Sequence, residues 1–73
     1  MAERLAREAV TRARTTDNID ETAIALSALG ETLRLAGREG EAHEALAEAF
    51  ELFERKGNVV MAERTRAALG SSL

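Results

Sequence analysis

Seventy-three residues with a formal net charge of -3 are enough for one small domain and exclude a self-contained multidomain enzyme. A composition that is 45% hydrophobic and 32% charged is too apolar for a disordered tail and too evenly charged for a membrane span, and its acidic balance excludes a dedicated nucleic-acid surface. With 15 alanines, 11 glutamates and no proline, the propensities favour helix almost everywhere, so the chain is expected to be all-α.

The first predicted helix covers residues 2–15, with Leu5, Ala6, Ala9, Val10 and Ala13 as a thin apolar stripe. Asn18, followed three residues later by Glu21 as in a capping box, starts a second helix over 19–36. Ile19, Ala23, Leu26, Gly30 and Leu33, with Leu29 adjoining, give it one apolar face of period 3.6. Gly37 ends it, because a glycine just past the last turn can take the left-handed conformation. A third helix over 39–56 carries Ala42, Ala45, Leu46, Ala49, Leu52 and Phe53 on one side, and the small alanines let two helix axes approach closely. Gly57 ends it and Asn58 starts a fourth helix over 59–69, whose apolar residues are Val60, Met61, Ala68 and Leu69, with Gly70 as a third stop. Arg34, Arg55, Lys56 and Arg66 precede these stops, where cations oppose the partial negative charge of a helix C-terminus. Residues 1–70 thus form the folded unit, and Ser71-Ser72-Leu73 is a tail outside it.

Sliding the chain against itself by 40 positions aligns Ala2, Glu8, Ala9, Asn18, Ala28, Leu29 and Gly30 with identical residues, and sets Val10 on Phe50 and Ile19 on Val59. The first helix then corresponds to the third and the second to the fourth, as in a slice of a repeat array. Within this frame Leu26, Leu29, Gly30, Leu33, Gly37, Ala42, Leu46 and Ala49 occupy the spacing of a tetratricopeptide (TPR) repeat, which the segment from Ala25 to Phe53 resembles. Leucines stand where that family has tryptophan and tyrosine, Glu54 stands where it has proline, and the repeat lag is 40 residues where the family has 34. The run LRLAGREGEA followed by KGNVVMAERTRAAL, and nine arginines against one lysine, look like the TPR-like tails of actinobacterial transcription regulators and signalling ATPases. The resemblance implies four antiparallel helices in a TPR-like hairpin stack, a fragment of a right-handed superhelix, that binds a protein or peptide.

The residues offer no chemistry of their own. His43 has no second histidine, cysteine or spaced carboxylate pair beside it to complete a metal site. Ser27, Ser71 and Ser72 lack a nucleophile elbow, and the glycines form no phosphate-cradling loop. The reading is of a non-enzyme without cofactor or metal, not bound to nucleic acid or membrane. The absence of cysteine and of a secretory pattern at the N-terminus points to the cytoplasm. Glu44, Glu48 and Glu51 trace the outer side of the third helix and read as a solvated face.

In the resembled family the first helix of each repeat lines the concave surface. Its outward positions here are Ile24, Ser27, Glu31, Arg34 and Leu35, a candidate groove for an amphipathic helix or a neighbouring domain. The lysine-rich clamp used for C-terminal carboxylates in some relatives has no counterpart. Because repeat arrays need about three units and polar caps, the open ends are expected to pair with a second copy, with Val10, Phe50 and Met61 buried in an isologous homodimer. The alternative is a purely structural or engineered oligomerisation element without external ligand.

Overall fold

The computed structural model describes residues 2–70, so the tail at Ser71-Ser72-Leu73 lies outside the described residues. Four helices occupy the chain: α1 (Ala2–Arg14), α2 (Ile19–Leu35), α3 (Glu39–Lys56) and α4 (Val59–Gly70). Each helix packs closely on its neighbour in sequence, α1 on α2, α2 on α3 and α3 on α4. The outcome is a compact all-α four-helix bundle measuring 30 × 26 × 14 Å.

The punctuation works through identifiable hydrogen bonds. Asn18 accepts the backbone N–H of Glu21 through Oδ1 at 3.2 Å, and Asn58 accepts that of Met61 at the same 3.2 Å, so both odd-to-even turns end in one cap chemistry. The reciprocal arm expected from Glu21 is supplied instead by Thr16, whose hydroxyl accepts the Asn18 N–H at 3.2 Å. Gly37 and Gly57 both sit at φ 81°, the left-handed region a side chain would strain. In each turn two carbonyls of the preceding helix are satisfied: Gly37 N–H binds Arg34 and Arg38 N–H binds Leu33, while Gly57 binds Glu54 and Asn58 binds Phe53, all at 2.9–3.0 Å. Gly70 differs from the expectation. It is helical and is not a left-handed stop, as α4 runs through it.

The core follows the apolar stripes of α2 and α3. Ala23, Leu26, Leu29 and Leu33 face Ala42, Ala45, Leu46, Ala49 and Phe53, with Phe53 and Leu33 the largest fully buried side chains. Gly30 is what brings the two axes together, because a Cβ there would stand 2.6 Å from Leu46 Cγ. α1 contributes Val10 and Ala13 to the core, but Leu5 remains 67% exposed. α4 contributes Ala62 and Thr65, whereas Val60 is 70% exposed. Two threonines are buried where the stripes had predicted only apolar residues: Thr22 and Thr65 return their hydroxyls to the carbonyls of Asn18 and Met61. A threonine satisfied within its own helix packs as a small apolar residue.

Candidate functional site

The acidic line of α3 does more than face solvent. Arg7 of α1 donates to Glu41 at 2.8 Å, and Arg14, two turns further on, reaches Glu48 at 2.9 Å, again two turns further on. Matching order along both helices means that α1 and α3 run parallel, with α2 antiparallel between them. At one end the pairs close into a ring of alternating charge. Arg38 meets Glu3 at 2.7 Å, Glu3 meets Arg7 at 3.0 Å, Arg7 meets Glu41 at 2.8 Å and Glu41 returns to Arg38 at 3.8 Å. The hydrogen bond from Arg7 holds the Glu3 carboxyl below the usual carboxylate range against the opposing effect of desolvation, with the Arg38 and Arg7 charges adding to it. Of the glutamates read as a solvated face, Glu48 is therefore a clamp on α1. The signal was present in the sequence as arginines seven apart on one helix and glutamates seven apart on the other.

The expected groove residues are not gathered into one site. Ile24, 55% exposed, stands beside α1. Arg34 turns the other way and donates through Nη2 to the carbonyl of Ala68 at 2.6 Å, tying α2 to α4. Glu31 is 3.9 Å from Arg34 and exposed, while the Ser27 hydroxyl is buried without a hydrogen-bond partner among the described residues. Leu35, 89% exposed, ends the helix in solvent.

The residues expected at a self-association surface are likewise divided. Val10 is already buried in the chain's own core, because α1 turns it toward α2 and α3, and it has no side chain left for a second copy. Phe50 and Met61 are half-buried and packed against that core. His43 is solvent-exposed, and no group of three or more metal-ligating side chains gathers among the described residues.

What the structure adds is a trough at one end of the bundle. Ala9 and Ala13 of α1 face Ala25 and Ala28 of α2 across an open space of about 550 Å³, with Ile24 in its wall and Arg12 and Glu21 on opposite rims. Four alanines make the floor shallow and smooth, so the backbone of another helix can come close. At the opposite end Phe50 and Glu54 of α3 and Val59, Ala62 and Arg66 of α4 line a smaller cleft of about 200 Å³. Sequence reasoning missed the trough because Ala25 and Ala28 are off the main stripe of α2 and were assigned to no face.

Compared with known proteins, the chain matches no family model, and no curated protein or solved structure is similar enough to count as a match. No helix among the described residues is long and apolar enough to cross a membrane.

Proposed function

We propose that the chain is a segment of a TPR-like helical stack and acts as a protein-interaction module, docking an amphipathic helix of a partner or neighbouring domain in the α1/α2 trough. The observation that carries this reading is the alanine-floored trough itself, with an isoleucine 55% exposed in its wall. Large apolar side chains beside a smooth helical groove are what a helix-in-groove site presents. Three further features support the stack. Packing is sequential from α1 to α4, the Asn18 and Asn58 caps recur at the lag of 40, and lateral partners such as Arg7–Glu41, Arg14–Glu48 and Arg34–Ala68 are each 34 residues apart.

The occupant has a definable chemistry. It is a helix with a narrow apolar edge of valine- or leucine-sized side chains, flanked by an acid to meet Arg12 and a base to meet Glu21. Selection of displayed helical peptides on the wild-type chain, with Ile24→Arg as counter-target, tests this. Enriched peptides that bind Ile24→Arg at least ten-fold more weakly, with its circular dichroism unchanged, support the trough. Peptides that bind both chains alike, or no enrichment, would overturn it.

A further inference from the structure

We infer that the α1/α2 trough takes the α4 end of a second copy of this chain, so that copies associate head to tail. This rests on the reading of the trough as a helix-docking surface and names its occupant. Two observations carry it. The opposite end of the molecule presents a knob that the trough lacks: Val59 of α4, in the wall of the far cleft, is 70% exposed although it is a valine. The rims also match in sign. The trough has a base on its α1 wall (Arg12) and an acid on its α2 wall (Glu21), whereas the far cleft has an acid on its α3 wall (Glu54) and a base on its α4 wall (Arg66).

Placing α1 of one copy beside α3 of the next, and α2 beside α4, repeats the lateral order already present within the chain. It sets Arg12 toward Glu54 and Glu21 toward Arg66, four groups that make none of the chain's own ion pairs among the described residues. Arginines of α1 pair with glutamates of α3 inside the molecule, so the junction uses the chemistry of the interior. An isologous pairing of two troughs would also match Arg12 with Glu21, but it would leave Val59 of α4 in water. Head-to-tail contact covers both ends, and being heterologous it does not close at a dimer.

Sedimentation of the full chain over micromolar to millimolar concentration, alone and in mixtures of variants, tests the inference. The wild type is expected to gain mass beyond a dimer as concentration rises. Ile24→Arg and Val59→Arg, each altering one end at an exposed position, are each expected to associate at least ten-fold more weakly. Mixed together they are expected to form a one-to-one complex, because each retains the end the other lacks. The double variant Glu21→Arg with Arg66→Glu is expected to recover what either single change loses. A wild type that stays monomeric at millimolar concentration overturns the inference, as does a Val59→Arg chain that associates like wild type. If displayed peptides still bind the trough in that event, the docking surface stands and only its occupant is wrong.

Discussion

Arg14 grips Glu48 with two roughly parallel contacts, Nη2 to Oε1 at 2.9 Å and Nη1 to Oε2 at 2.8 Å. This fork joins α1 to α3 across a gap where the backbones themselves are not closely packed. With both side chains nearly half exposed, solvent screens the pair. A double-mutant cycle of Arg14→Ala and Glu48→Ala in urea is expected to give a coupling of about 0.2–1 kcal/mol that falls in 1 M salt. A coupling insensitive to salt would show that the two side chains matter through packing instead.

Two glycines in helical positions are expected to respond to alanine in opposite directions. At Gly30 the new methyl would meet Leu46 Cγ at 2.6 Å and Cδ2 at 2.7 Å, with the Ala42 carbonyl oxygen at 3.4 Å. Leu46 is buried, so its side chain would have to shift within a packed seam. Overpacking of about 1–3 kcal/mol outweighs a helix-propensity gain of about 1 kcal/mol, so Gly30→Ala lowers stability. At Gly40 nothing lies within 4 Å of the added carbon, and Gly40→Ala raises stability by about 0.5–1 kcal/mol. Urea midpoints of the two variants that move in the same direction would contradict the seam assigned to Gly30.

The Glu3 ring sets a pH dependence for the docking of α1. Because the folded carboxyl titrates below its reference value of 4.5, its contribution is complete above that pH and is lost as the pH falls through the lower folded value. Amide exchange in α1, around Val10, is therefore expected to speed up on acidification below the reference value of 4.5 before exchange in α2 and α3 does. Glu3→Gln is expected to flatten this response and to have little effect at 1 M salt. Simultaneous opening of all four helices would indicate that the ring does not govern α1 separately.

Much of the bundle was legible in the sequence where a single local rule decided the outcome. Gly37 and Gly57 were readable as stops because left-handed geometry is a local property of glycine. Leu26, Leu33, Leu46 and Phe53 were readable as core because α2 and α3 each bury a full stripe. The two outer helices were harder. α1 and α4 have a neighbour on one side only, so a stripe no longer reveals which of its members turn inward: Val10 does and Leu5 does not. Arg34 looked like part of an open surface because its target is the backbone of Ala68, and a carbonyl leaves no mark in a side-chain pattern. The trough depends on two helices whose facing alanines become neighbours only after α1 and α2 have packed.

Arg34 and Leu35 separate fold from binding, though they are adjacent and were read as one surface. The Arg34 guanidinium donates to the Ala68 carbonyl near the C-terminus of α4 at 2.6 Å, where a cation also opposes the helix dipole. Removing a charged hydrogen bond of this kind costs about 1.5–3 kcal/mol, so Arg34→Ala is expected to lower the thermal midpoint and to speed amide exchange in α4 ahead of α1. Arg34→Lys, with one shorter arm, is expected to recover part of the loss. Leu35 is 89% exposed, and Leu35→Ala is expected to change stability by less than about 0.5 kcal/mol. If Arg34→Ala left the exchange of α4 unchanged, the bond to Ala68 would not be what holds α4 to α2.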